Sequence, residues 1–506
     1  MDTQDIAAAQ PIASPAPDVA ALADQRPPQP TPAFPAWMTR AAATVLIVWA
    51  LGALLGEALA QVACALAILF SIVTLRARPA LPPRQRRVVQ FAVALAAWQA
   101  LSPLVTWLLG IHPELPPLRR YGQIFDTAAI AALVCVVQFG VPWRTLVGIC
   151  ATGWLGHTIA ALFQHFGLWP AALIEWTSYK ANPSRLYENF AAPGDPVRHA
   201  GAGIYYHRLK LAHHAVAFFG PALALVGLRG NETTSEAVST SNSNAKSDAA
   251  PKSAWVAGLS ASASIASRLR ATGIFFALLL AACVYLTYAR ASFGALLVML
   301  SVGLIFLFGR RSLVPILAVL FLTVAVVALS PAWQQRFTKL SGTWVGQDRH
   351  FAMTAGLTLA REHPLTGVGF GNYQRAVMLR IDRPAEGQPP GPRFDKRLSG
   401  MARYLNHDLI SLDAHNVLLT VFAETGLVGL ILYVLLQLSL FRALWERHRE
   451  GALAATAAFV SLVGFHCLGA VHYLPFHTGV FLTFSLIWGL GLAPARSAGD
   501  PTPRPI

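Results

Sequence analysis

The residues of this chain best suited to chemistry are histidines and arginines at the ends of long apolar runs. The run Asp413-Ala414-His415-Asn416-Val417-Leu418-Leu419 leads into Glu424-Thr425-Gly426-Leu427-Val428-Gly429, where a long polar segment enters a long apolar one. With Asp413 as N-cap, His415 falls in the first helical turn. The positive end of a helix dipole disfavours an imidazolium. His415 then stays neutral and can accept a proton near pH 7. The carboxylates of Asp413 and Asp408 push the other way, so the sign of the net shift stays open. A histidine that only caps the helix or sits at an interface is the plainer alternative.

Arg290 lies between two apolar stretches. A cation at a span end is costly unless it meets water, lipid phosphate or a carboxylate. The planar guanidinium fork suits a diphosphate, because it donates two parallel hydrogen bonds. Snorkelling to lipid headgroups is the competing reading. A third group, Tyr205-Tyr206-His207-Arg208-Leu209-Lys210-Leu211-Ala212-His213-His214, starts another apolar stretch. It reads equally as a phosphate site and as an interfacial belt of tyrosine and basic anchors. Gly367-Val368-Gly369-Phe370-Gly371-Asn372 has no βαβ unit around it and reads as a tight turn after a helical stretch at 351–362. His466, His472 and His477 have no zinc-motif spacing and no acidic partner in sequence, and read as packing or interfacial residues.

The elements that position these groups follow from composition. The chain has 506 residues, with 39 Lys+Arg against 24 Asp+Glu and a net charge of +15. Only 12% of residues are charged and 55% are hydrophobic, where soluble domains carry about 25% charged residues. Mean hydropathy is +0.50. A soluble enzyme, a disordered protein and a disulfide scaffold are excluded on these grounds. The five cysteines all fall in apolar stretches without a CxxC pair, and read as small core residues. The expected fold is an all-α polytopic membrane protein.

About 12 transmembrane helices are expected, each needing about 20 apolar residues. They fall near 40–56, 58–75, 87–109, 121–139, 143–166, 208–228, 270–289, 292–309, 312–330, 414–441, 452–471 and 474–493. Residues 1–36 read as a disordered cytoplasmic tail. Residues 37–330 hold spans one to nine, with a periplasmic loop at 167–207 and a loose cytoplasmic linker at 229–268. The segment 331–413 is a large, mainly helical periplasmic loop between spans nine and ten. Residues 414–493 hold the last three spans, and 494–506 form a cytoplasmic tail. Arginines gather in alternate short loops, at Arg76, Arg78, Arg84, Arg86 and Arg87, at Arg144, at Arg268 and Arg270, at Arg310 and Arg311, and at Arg442, Arg447 and Arg449. The positive-inside rule then puts both termini in the cytoplasm and the three polar groups outside. The 331–413 segment has 11 basic against 7 acidic residues. That surplus suits an anionic partner, or belongs to an ordinary solvated loop.

The run Arg361-Glu362-His363-Pro364-Leu365-Thr366-Gly367-Val368-Gly369-Phe370-Gly371-Asn372-Tyr373, followed by Ala414-His415-Asn416 and Glu424-Thr425-Gly426, resembles the O-antigen ligase and polymerase superfamily. These are polytopic bacterial membrane glycosyltransferases. The resemblance implies transfer of O-antigen glycan from undecaprenyl diphosphate to lipid A–core oligosaccharide on the periplasmic side of the inner membrane, with inversion at the anomeric carbon. Membrane lipids are the remaining partners, and no nucleic acid is involved. No metal and no cofactor are implied. The catalytic histidine falls on His415. The arginines that hold the donor diphosphate fall on Arg290 and Arg208, with Lys210 able to share the second role. Leu209-Lys210-Leu211 departs from the glycine the family has after that arginine. Asn416, Arg349 and Arg361 are supporting candidates.

Two alternatives differ in kind. An O-antigen polymerase or a protein O-oligosaccharyltransferase of the same superfamily runs nearly the same chemistry on another acceptor. A lipid-linked glycan transporter would place ionisable residues or Gly/Pro breaks in mid-span.

Overall fold

Inside lipid, a stretch of apolar residues satisfies its backbone polar groups by closing into a helix. The computed structural model follows that rule and contains no strand among its described residues, which are 34–77, 80–111, 115–116, 118–168, 200–205, 207–227, 252–338, 344–382 and 413–494. The expectations for 1–33, 169–199, Tyr206, 228–251, 383–412 and 495–506, Asp408 among them, fall outside the described residues.

The chain opens with α1 (Ala36–Leu55), α2 (Glu57–Val73), α3 (Pro83–Leu108), α4 (Leu118–Val136) and α5 (Trp143–His165). It continues with α6 (Arg208–Val226), α7 (Lys252–Thr287), α8 (Arg290–Phe308) and α9 (Leu313–Leu329). Three helices outside the apolar series follow: α10 (Pro331–Thr338), α11 (Trp344–Glu362) and α12 (Tyr373–Asp382). The chain closes with α13 (Val417–Arg449), α14 (Leu453–Gly469) and α15 (Thr478–Gly491). Eight helices are long and apolar enough to cross a membrane, and four shorter apolar helices (α2, α9, α14 and α15) stand beside them among the described residues. The expected linker at 229–268 differs in part. α7 already begins at Lys252, because Ala, Ser and Leu through 252–268 keep a helix that the polar composition alone did not suggest.

The packing follows from where apolar faces can be buried. One cluster joins α3, α6, α7, α8, α13, α14 and α15 through residues such as Leu95, Val216, Phe218, Met299, Leu440, Phe465 and Trp488. A second joins α1, α2 and α4 with one face of α15. By contrast α9 buries none of its residues, and Val314, Phe321 and Leu329 are each more than three-quarters exposed. Such a helix is stable only with lipid around it. α11 and α12 pack on the start of α13 through Phe351, Ala355, Leu359, Tyr373 and Val377. The end of the bundle that carries these helices is the loop end.

At the loop end the chain is locked to the bundle by backbone. Helix α13 breaks at Gly426, whose φ of 64° and ψ of −167° no helix tolerates. The carbonyl of Pro364 accepts the Leu427 N–H at 2.8 Å, and Val368 N–H donates to the Ala423 carbonyl at 2.9 Å. The turn after α11 is thereby laid into the broken helix. Gly367, at φ 66°, lies so close that a Cβ there would sit 2.5 Å from the Glu424 carbonyl carbon. The glycine run is a turn of close backbone approach, as its spacing suggested.

Candidate functional site

The start of α13 is built by short polar side chains. Asn416 is the N-cap, and its Oδ1 accepts the Leu419 N–H at 2.9 Å. Asp413 therefore does not cap the helix. Its Oδ1 accepts the His415 N–H at 2.6 Å instead, in an Asx-type turn. His415 lies before the cap rather than in the first helical turn, and has a left-handed φ of 53°. A non-glycine residue held there is uncommon. It persists because both neighbours are pinned: Ala414 N–H donates to Thr420 Oγ1 at 3.1 Å, and Asn416 Nδ2 donates to the Ala470 carbonyl at 3.1 Å. Asn416 thus ties the turn to the end of α14.

Burial is the main influence on His415, and the Arg349 charge adds to it. Together they push its pKa down to about 4. Asp413 lies 3.7 Å from the imidazole Nδ1. Its own carboxyl is pushed up to about 6 by burial, against the opposing pull of the His415 N–H and Arg120. The direction left open by the sequence is therefore downward, and the imidazole is neutral at pH 7. About 29% of the His415 side chain remains exposed.

Three arginines meet at the loop end. Arg290 and Arg208 are the first residues of α8 and α6, and Arg349 projects from α11. Arg290 feels the charge of both Arg349 and Arg208. Burial, then the Arg208 charge, holds Arg349 below the usual guanidinium range. Arg208 Nη1 donates to the Thr287 carbonyl at 3.5 Å, at the end of α7. The break between α7 and α8 places Arg290 just beyond that carbonyl. Tyr288 takes a left-handed φ of 52° there and packs against the fully buried Trp333 of α10 at a centroid distance of 5.6 Å. Three guanidiniums that repel one another make a concentrated positive potential, which an anion with several oxygens relieves.

The other sequence candidates sit differently. Lys210 Nζ forms an ion pair with Glu57 at 3.0 Å, beside a cavity of about 130 Å³ lined by Tyr205, His214 and Gly479 among others. Arg361 is exposed at the far end of α11. Twelve residues of helix put it roughly 18 Å along the axis from Arg349, so the structure does not bring it to the arginine group.

Two further residues belong here. His472, in the connection between α14 and α15, is 7% exposed and stands edge-on to His415 at a centroid distance of 6.4 Å. Sequence spacing put it with the packing histidines, and no local signal marks it, since its neighbours come from α6, α11 and the turn before α13. Glu424 is the second. Its carboxylate accepts the backbone N–H groups of Gly371 and Tyr373 and lies near Arg120. The Glu-Thr-Gly motif thus clamps the turn that carries the glycine run. Among the described residues no group of three His, Cys, Asp or Glu side chains could hold a metal ion.

Among curated proteins no match to the chain is found. Residues 275–434 match the sequence model of the family described as O-antigen ligase. The matched segment contains Arg290, Arg349, His415, Asn416 and Glu424, while Arg208, Lys210 and His472 lie outside it. The similarity to the O-antigen ligase family thus covers residues 275–434 of an all-helical set of described residues with many apolar spans and a basic loop end.

Proposed function

We propose that the chain is an O-antigen ligase, moving O-antigen glycan from undecaprenyl diphosphate to lipid A–core oligosaccharide and so completing lipopolysaccharide. The observation that carries this reading is a group of three arginines, Arg208, Arg290 and Arg349, that feel one another's charge, one of which, Arg349, also acts on the neutral imidazole of His415. The donor already contains an activated glycosyl–phosphate bond, so neither nucleotide nor metal is needed in principle. Arg208, Arg290 and Arg349 take the diphosphate oxygens and stabilise the charge that develops as it leaves. Lys210 is held by Glu57 at 3.0 Å. His415 removes the acceptor hydroxyl proton. Attack by that oxygen from the face opposite the diphosphate inverts the anomeric carbon.

The two halves of the site are linked. Arg349 is one cause of the low basicity of His415. A diphosphate bound among the arginines offsets that charge, so the base strengthens once the donor is in place. The arginine bias of the short loops supports a bacterial inner-membrane protein with both termini cytoplasmic and this site facing the periplasm.

The test is reconstitution with purified lipid-linked glycan and three acceptors in parallel: lipid A–core, a second lipid-linked glycan, and a pilin-type protein. Elongation of lipid A–core is expected. Elongation of the lipid-linked glycan identifies a polymerase, and glycosylation of the protein an oligosaccharyltransferase. Movement of lipid-linked glycan across the bilayer without transfer identifies a transporter.

A further inference from the structure

A row of imidazoles leads away from His415 into the bundle. His472 is 6.4 Å from it, His213 is 5.0 Å from His472, and His477 is 6.2 Å from His213, all between ring centroids. His213 is 1% exposed, and neither of its ring nitrogens has a hydrogen-bond partner among the described residues. A neutral imidazole has one donor and one acceptor. Leaving both buried and unmet costs stability. Such exceptions call for an explanation, and a catalytic role is one. At the far end His477 feels both Glu57 and Lys210. That pair borders the cavity of about 130 Å³, which has room for several waters. The Glu57 side chain is 39% exposed.

We infer that His472, His213 and His477 carry the proton taken up by His415 to water beside Glu57. This rests on the proposed transfer reaction and adds the fate of its proton. In that reaction the acceptor oxygen bonds to the anomeric carbon, the carbon–oxygen bond to the diphosphate breaks, and its electron pair stays on the diphosphate. The acceptor proton goes to a ring nitrogen of His415. A glycan acceptor must cover the exposed side of His415 to present its hydroxyl, which closes direct access to water. The buried side of the ring faces His472. From there the proton passes through His213 and His477 and leaves on a water of the Glu57 cavity.

The charges along the row fit this direction. His472 faces Arg349 of α11, Arg208 of α6, His415 and His477. His213 faces His472, His477, His207 and His214. His477 faces Lys210, Glu57 and His415. Arginines stand at the entry, and at the exit the Lys210–Glu57 pair supplies a carboxylate beside the cavity. Burial lowers His415 to about 4, His472 to about 3 and His477 to about 4.

The experiment measures steady-state transfer by the full-length protein, comparing wild type with His415→Ala, His472→Gln and His213→Gln in detergent or vesicles. For His472→Gln and His213→Gln, kcat is expected to fall roughly tenfold, less than the full loss of a general base. Donor KM is expected to hold, the solvent deuterium isotope effect to rise, and millimolar imidazole buffer to restore much of the rate. His415→Ala is expected to be inactive and not rescued. Wild-type kcat and isotope effect in both Gln variants, with His415→Ala inactive, overturn the relay alone. A loss that buffer does not restore, with raised donor KM, also overturns it and assigns His472 to packing or donor binding. Wild-type rates in all three variants overturn the transfer chemistry at His415 together with the relay.

Discussion

Two cationic patches share the loop end, and they are built on opposite terms. Lys210 is matched to Glu57, a half-exposed pair of the kind that contributes little and asks for no third partner. Arg208, Arg290 and Arg349 face one another, and each raises the positive potential at the others. Both patches begin from basic residues at the end of α6, only two positions apart. The lesson is that basic residues at a span end do not by themselves make an anion site. Arg208 sits among other cations, whereas Lys210 sits against a carboxylate.

The largest effect expected from breaking this contrast comes at His415, which feels the Arg349 charge. His415→Ala should lower transfer by about 10²–10⁴-fold, the range for a lost general base, with membrane insertion and melting temperature retained. Next is Arg290→Lys, which keeps the charge and removes the fork. Donor KM should rise by roughly tenfold or more, read from initial rates at limiting lipid-linked glycan. Full activity in that variant would remove bidentate binding from the account. Glu424→Gln should act through the clamp, because an amide is a weaker acceptor of the Gly371 and Tyr373 N–H groups. A melting shift equivalent to about 1–2 kcal/mol is expected, with a smaller loss of rate. The smallest effect sharpens the contrast from the other side: Lys210→Met should raise donor KM by no more than about threefold, the scale of an exposed ion pair.

The pH dependence separates the two groups at the turn. His415 is lowered to about 4, so kcat/KM should hold as pH falls below the usual histidine range and drop only toward pH 4. For stability the signs oppose. In the folded protein His415 binds its proton less readily than in the unfolded chain, so its contribution weakens as pH falls from about 6.5 to about 4. Asp413 binds its proton more readily when folded, so its contribution grows as pH falls through about 6. His415→Gln should therefore lose less stability than wild type between pH 6.5 and 4, measured by melting across that window.

Much of the fold was legible because lipid imposes one demand everywhere: long apolar runs with most of the charges at their ends. Arg290 and the His415 turn were legible for the same reason, as polar residues where an apolar run begins. The cap is not legible in the sequence, because Asp413, Asn416 and their spacing fit either role until the Leu419 N–H, donating to Asn416 Oδ1, decides for Asn416. Glu57 is 153 positions from Lys210. Nothing local in either segment announces their pairing. His472 reaches His415 only through the packing of α14 against α6 and α13. Arg361 and Arg349 share a helix, and their separation along it follows from the rise per residue once α11 is known to be continuous.

The most direct measurement is the affinity of the purified protein for undecaprenyl diphosphate, in nanodiscs, for wild type, Arg290→Ala, Arg208→Ala, Arg349→Ala and Lys210→Met. The account predicts that each arginine variant weakens binding by roughly tenfold or more, the scale of a lost charge-assisted contact. It predicts that Lys210→Met stays within about threefold of wild type. Wild-type affinity in all three arginine variants, with binding lost in Lys210→Met, would contradict it.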